Sequence, residues 1–341
     1  MYDEWQESAH SQANKGVLFR AMRDKTDATT CNRCHAPLAA IVSQGELSAT
    51  EGVTCEVCHR IGEAKAERRG AGFELRRAHD VKYGPLCGAN EAYFHKTECV
   101  PVYAKSLFCA SCHLWWKPVP GGGEIPVYTE YEDWQKGPYG KTKQCQSCHM
   151  PGDTASLAVS EIERKGVPNH GFMGRDDLRD TALTLEANVK GDGELIRVEA
   201  TVGNARAGHP LPAGMSGHQL VLRALLRDGD EEVARAEAIF ERQVVDDAGK
   251  PVAFFEATRV GEDTRILPKG KRTTRLELRG SAESKLSVEL LRREIAPEVA
   301  KALGVRAPEE TTILAAHLQL GAAKQKGPRG GLPRHVKAGK P

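Results

Sequence analysis

Cys31-Asn32-Arg33-Cys34-His35 opens a pattern that returns three times, as Cys55-Glu56-Val57-Cys58-His59, Cys109-Ala110-Ser111-Cys112-His113 and Cys145-Gln146-Ser147-Cys148-His149. Within one helical turn, residues i and i+3 share a face, so both thiols of a pair reach one partner and the next histidine lies beside them. Two cysteines, two spacers and a histidine form the attachment signature of a c-type haem: the thiols take the two vinyl groups and the imidazole takes the iron. One such motif arises by chance about once per hundred chains of this composition, so four together mark four covalently bound haems. Disulfides within each pair, or zinc ribbons, are the weaker readings; a zinc site needs no histidine directly after each pair.

Working outward, all ten cysteines lie between Cys31 and Cys148. The 341 residues exceed one typical domain. The division expected is a tetrahaem cytochrome c domain over 1–177, a β-sandwich domain over 178–320 and a basic disordered tail over 321–341. The fold class is therefore α+β in two domains: short helices and loops wrapped around four haems, then an immunoglobulin-like antiparallel β-sandwich. Apolar content is 40% and aromatic content 6%, thin for a first half rich in glycine, proline and lysine. Haem macrocycles would supply the missing apolar core, at about 25 cal/mol per Å² removed from water.

The second half is read from its alternation. Leu183, Leu185 and Ala187, then Ile196, Val198 and Ala200, then Leu220, Leu222 and Ala224 repeat every second residue, as in a half-buried strand. Further strands are expected over Val233 to Val244, Arg272 to Leu278, Leu286 to Leu291 and Thr311 to Leu318, with a short helix from Pro297 to Leu303. Lys190-Gly191-Asp192-Gly193 and Asp228-Gly229-Asp230 are turn chemistry. Six or seven such strands suggest a sandwich. By contrast, Asp3 to Arg23 reads as one helix capped by Asp3, and Thr26 to Pro151 as short segments without sheet. Tyr2-Asp3-Glu4-Trp5 and Tyr131-Glu132-Asp133-Trp134 echo each other ahead of motifs; tryptophans packed on porphyrin and coincidence both remain open.

A haem iron takes a second axial ligand, and histidine is the better-supplied candidate here. His10 follows Trp5 on the first helical segment. His95 precedes the third motif, and His170 sits in the glycine-flanked Asn169-His170-Gly171-Phe172 loop. For the fourth ligand His79 and His209 compete; His209, in Gly208-His209-Pro210-Leu211-Pro212, is preferred, and as a ligand it would clamp the two domains together. Cys87 and Cys99, left over from the motifs, are expected to form a disulfide closing the loop that carries His95, worth about 2–3 kcal/mol.

Formal charge is +2, but haem propionates would add about eight negative charges, which makes nucleic acid a poor partner. No run is long and apolar enough for a transmembrane segment. Haem attachment to thiols points to export, into the periplasm or the extracellular space. Met1 to Arg20 has neither a basic n-region nor an apolar h-region, so the export signal is expected to be missing from this sequence.

These residues resemble multihaem c-type cytochromes related to the tetrahaem cytochrome c that accepts electrons from hydroxylamine oxidoreductase. The likeness lies in the Trp5 to His10 segment, Gly52-Val53-Thr54 ahead of the second motif, Phe108 ahead of the third, and Met150-Pro151 after the fourth. It covers roughly the first 175 residues. The second half looks like the β-sandwich extension some of these proteins carry. The resemblance implies closely spaced haems, mostly bis-histidine, passing electrons between respiratory redox partner proteins. It also implies possible self-association with haems of neighbouring chains in contact, and in some relatives one five-coordinate iron. Tyr139 departs from the pattern: it stands five residues after Trp134, where His10 stands five after Trp5.

Two functions follow. The first is electron transfer without catalysis, since nothing outside the haem sites forms a nucleophile or acid–base pair. The second is a haem enzyme reducing a small nitrogen or sulfur oxyanion at one open iron, held by nearby lysine or arginine.

Overall fold

The computed structural model describes residues 1–42, 51–76, 80–87, 95–156, 162–172, 182–192, 194–281 and 283–320. His79 and the basic tail fall outside the described residues.

Among the described residues of the first half, seven short α-helices occur: α1 (Tyr2–Gln6), α2 (Val17–Arg23), α3 (Ala28–His35), α4 (Cys55–Cys58), α5 (Ser106–Ala110), α6 (Glu130–Lys136) and α7 (Cys145–His149). None is long enough to persist alone, so local caps matter. Asp27 ends the chain's approach to α3 by accepting from the Thr29 and Thr30 amides at 3.0 and 3.3 Å. The buried Thr54 hydroxyl does the same for α4, accepting from Val57 N at 3.3 Å.

Two expectations for this half are corrected. The single helix expected over Asp3 to Arg23 is two, separated by turns from residue 7 to 15, and Asp3 lies in the first turn of α1 and not at its cap. The physical reason is side-chain competition: the Ser11 hydroxyl, with Gln6 O at 2.7 Å and Ser8 O at 3.0 Å, takes carbonyls a continuing helix would use. Nor is the region free of sheet. Four two-stranded ladders join its segments: antiparallel β1 (Ile61–Ala64) with β2 (Phe73–Leu75), and parallel β3 (Val81–Gly84) with β4 (Lys96–Cys99). Antiparallel β5 (Trp115–Pro118) with β6 (Glu124–Tyr128) and β7 (Gly152–Ala155) with β8 (Arg164–Pro168) complete them. The β5–β6 turn needs its Gly121-Gly122-Gly123 run, because φ is +87°, +111° and +92° there.

The second half contains β9 (Leu183–Asp192), β10 (Leu195–Asn204), β11 (Gln219–Asp228), β12 (Glu231–Val245), β13 (Arg259–Asp263), β14 (Lys271–Arg279), β15 (Lys285–Arg293) and β16 (Thr311–Leu318), with α8 (Pro297–Ala302) before the last. They form antiparallel sheets in the orders β14-β10-β9 and β13-β12-β11-β15-β16. Both sheets feed one apolar core through alternate residues such as Val198, Val202, Leu222, Leu226, Leu286 and Leu290. Each such side chain contributes about 1.5–3 kcal/mol by leaving water. β13 was not expected from the sequence, since Arg259-Val260-Gly261-Glu262-Asp263 has no apolar alternation; it is a short edge.

A second apolar cluster crosses between the halves, joining Met22, Ile125 and Val127 to Met215, Phe254 and Val299. Polar contacts fix the same seam: Ser216 N and Oγ donate to Val127 O at 3.0 Å and Pro126 O at 2.7 Å, and Lys117 Nζ donates to Ala257 O at 2.9 Å. Among the described residues no helix is long and apolar enough to cross a membrane.

Candidate haem-attachment site

Each motif occupies one turn of helix. The first ends α3, the second forms α4 with His59 just beyond it, the third runs out of α5, and the fourth is α7. This presents both thiols of a pair together, as the spacing requires. Thiols of different motifs also act on one another: the Cys112 thiol lowers Cys34, and the Cys109 thiol lowers Cys145 to about 7. The first and third motifs, and the third and fourth, are therefore neighbours. Burial, with Cys112 and Cys55 adding to it, pushes the Cys58 thiol up to about 12. Such a thiol is neither a nucleophile nor a thiolate ligand at neutral pH. Among the described residues no group of three or more His, Cys, Asp or Glu side chains is placed to hold a metal ion by itself.

The imidazoles carry the strongest geometric signal. His113 and His10 have ring centres 6.2 Å apart, His59 and His170 6.3 Å, and His149 and His209 6.4 Å. A metal–imidazole nitrogen bond of about 2 Å on each side of one metal puts two ring centres about 6 Å apart. Each pair joins a motif histidine to a distal candidate, and in all three the partners come from distant parts of the chain.

Protonation and tautomer suit the same role. Burial, reinforced by the charges of His113, His149 and His35, lowers His10 to about 3; burial, with His209 and His113, lowers His149 to about 4. Burial likewise lowers His35, His113 and His170. A neutral ring has a free lone pair for a metal. The Nδ1 atoms of His35, His59 and His209 face the carbonyls of Ala13, Tyr83 and Pro210 at 2.8, 2.7 and 3.2 Å. A carbonyl only accepts, so Nδ1 carries the proton and Nε2 is the bare nitrogen. The residues present thus fit covalently attached haem.

His95 is placed differently. It stands at the head of β4 with Nδ1 buried and without a hydrogen-bond partner among the described residues, and no motif imidazole lies opposite it at this spacing. His35 instead stacks on Phe19, with ring centres 4.3 Å apart, and has no described imidazole opposite. Cys87 and Cys99 are joined as a disulfide, with Cα atoms 4.8 Å apart.

The Tyr-x-x-Trp echo has a structural counterpart. Tyr2 packs on Trp5 and Tyr131 on Trp134, with ring centres 5.7 and 5.6 Å apart. Trp5 Nε1 donates to Val53 O at 2.8 Å, and Trp134 Nε1 to Lys143 O at 2.9 Å. Val53 and Lys143 each stand two residues before the first cysteine of a motif. Their amides in turn donate, both at 2.9 Å, to His10 O and Tyr139 O, each five residues after its tryptophan. The unit is one local structure used twice, and Tyr139 is the positional equivalent of His10. The tryptophan N–H groups serve the backbone ahead of a motif, which the sequence echo hinted at and did not specify. Sequence reading missed Glu4, whose carboxylate accepts from His170 N at 3.0 Å and Asn169 Nδ2 at 3.3 Å and so pins the His170 loop to α1. It also missed Tyr103, whose buried hydroxyl donates toward Cys58 O at 2.6 Å and Ile61 O at 3.0 Å. Neither belongs to a motif, and no spacing rule points to either.

The described chain has the fold of a multihaem c-type cytochrome. One solved structure it resembles is a penta-heme cytochrome c552 from Thermochromatium tepidum: TM-score 0.71 over 93% of this chain and 95% of that one, at 20% identity. A second solved chain, the Fcho1 Mu homology domain of Danio rerio with a bound Eps15 peptide, is 13% identical over 42% of this chain and 59% of that one; its TM-score is 0.17, and it carries no argument. No family model matches the chain, and no curated protein matches it.

Proposed function

We propose that the chain transfers electrons through four covalently bound c-type haems held at Cys31/Cys34, Cys55/Cys58, Cys109/Cys112 and Cys145/Cys148. His35, His59, His113 and His149 are their proximal ligands; His170, His10 and His209 are the distal ligands of the second, third and fourth. The observation that carries this reading is the set of three histidine pairs at a spacing of about 6 Å, each including one motif histidine. The haems supply reversible one-electron iron chemistry. The protein's residues orient the imidazoles, with the Nδ1 atoms of His35, His59 and His209 facing backbone carbonyls. We read the second half as an immunoglobulin-like sandwich, because its sheets order as β14-β10-β9 and β12-β11-β15-β16 with β13 added at one edge. Redox proteins outside the cytosol are the expected partners, with contact between haems of neighbouring copies as a further possibility of the same reading.

The test is electron paramagnetic resonance of the oxidised holoprotein, with intact mass to count the haems. Four added haem masses and signals dominated by low-spin ferric iron support the proposal. A polypeptide without those masses overturns it. A high-spin signal that shifts on adding nitrite or cyanide replaces pure transfer with reduction of a small oxyanion at an open iron.

A further inference from the structure

His209 reaches the fourth motif from the other half of the chain, so something must hold its loop in place. The loop leaves β10 at Asn204, whose side chain is fully buried. Asn204 Nδ2 donates to His209 O at 2.9 Å and to Ile266 O at 3.1 Å, while its Oδ1 accepts from Ala207 N at 3.1 Å. One amide thereby ties the ligand residue's own carbonyl to that of Ile266, which bridges to Leu211 between β13 and β14. Leu211 and Ile266 exchange both backbone hydrogen bonds at 3.0 and 2.7 Å, which fixes the loop beyond His209. At its far end the Gly214 amide donates to Glu130 Oε1 at 2.5 Å, and Glu130 belongs to the haem half.

The underside of the loop is equally specific. A Cβ on Gly208 would sit 3.2 Å from Tyr139 Cδ2 and 3.5 Å from Trp134 Cδ1, and a Cβ on Gly137 would collide with the Gly208 carbonyl. Tyr139 is the positional equivalent of His10. In the first copy of the repeated unit that position offers an imidazole to a motif histidine. In the second it forms the floor under a loop that brings an imidazole from elsewhere.

We infer that Asn204 is a positioning residue for the fourth haem, holding His209 at its iron. The inference rests on the assignment of His209 as a distal ligand. Removing this buried amide would leave the His209 carbonyl and the Ala207 amide without the partner they have here, so the loop would lose its anchor. Among the described residues His209 has no other side-chain contact of this kind to its main chain.

The experiment compares holoprotein carrying Asn204→Ala, Asn204→Asp and His209→Ala, each checked for four haem masses and native far-ultraviolet circular dichroism. Asn204→Asp keeps the shape and the acceptor toward Ala207, so it decides the matter should Asn204→Ala fail to fold. The readout is the number of low-spin ferric haems by electron paramagnetic resonance and near-infrared magnetic circular dichroism. His209→Ala is expected to convert one haem in four to high spin. The Asn204 variant is expected to convert a large part of that same haem, with added imidazole restoring low spin in both. If His209→Ala converts one haem and neither Asn204 variant changes the spectrum, the positioning role is overturned and the ligand assignment stands. If His209→Ala changes nothing, the ligand assignment itself fails and the inference falls with it.

Discussion

At the scale of single residues, the haem half relies on buried polar groups with few alternatives. Tyr103 is 9% exposed and stacks beside His59 with ring centres 6.1 Å apart, its hydroxyl shared between two carbonyls that bracket the end of the second motif. Burial raises its pKa, so it remains a phenol and a donor. Tyr103→Phe strands Cys58 O and Ile61 O and is expected to cost about 1–2 kcal/mol in denaturant unfolding of the holoprotein. Glu130 makes a second case. Oε1 accepts from Gly214 N, whereas the buried Oε2 has no partner among the described residues, and burial raises the carboxyl's pKa against the opposing pull of His209. With the folded pKa above the unfolded value of about 4.3, the folded state binds more protons between the two. The contribution of Glu130 to stability is thus largest below the unfolded pKa and is lost as pH rises through the folded one. Glu130→Gln keeps an acceptor for Gly214 and removes this titration. Its stability relative to the parent should therefore rise between pH 4 and pH 7; a difference that is flat with pH overturns the assignment.

At the scale of elements, a four-residue helix such as α4 survives on its cap and its attachments. Thr54→Ala removes the acceptor for Val57 N and should cost about 1 kcal/mol, measured as a lower denaturation midpoint with the haem masses unchanged. The strands of the second half were legible because their side chains alternate between core and water, and nothing else in a sequence produces a period of two so plainly. β13, with Val260 its lone large apolar residue, could not be read that way. The ladders of the first half were missed for a related reason. β3 and β4 expose or half-expose most of their residues, and they exist because His59 and Tyr83 exchange bonds, with Tyr83 N donating to His59 O at 2.9 Å and His59 Nδ1 facing Tyr83 O at 2.7 Å. The one long helix expected from Asp3 to Arg23 failed because serine side chains competing for backbone carbonyls leave no mark on apolar periodicity.

At the scale of the whole molecule, the motifs are legible by their spacing, but which imidazole faces which motif is not, since that depends on how remote loops meet. His209 meets His149 only because the two halves share a seam, and that seam has a charged centre. Asp133 Oδ2 lies 3.1 Å from Arg265 Nη1 and 3.5 Å from Arg242 Nη2, while Asp263 pairs with both arginines at 2.9 and 3.3 Å. Both arginine side chains are about nine-tenths buried, whereas Asp263 is 40% exposed. Asp133 also accepts from the Thr129 hydroxyl at 2.7 Å, which ties the cluster to the start of α6. Removing Asp133 leaves two adjacent buried cations to share one half-exposed carboxylate, and breaking a buried pair in this way costs about 3 kcal/mol. Asp133→Ala should therefore destabilise the holoprotein by about that amount. Arg265→Ala should cost less, because it also relieves the repulsion from Arg242. If the cluster acts as one unit, the double variant Asp133→Ala/Arg265→Ala will be more stable than the sum of the single losses predicts, by about 1–3 kcal/mol. Strict additivity would mean that the charged centre contributes no coupling across the seam, which would then rest on the apolar cluster and the backbone contacts of Ser216 and Lys117.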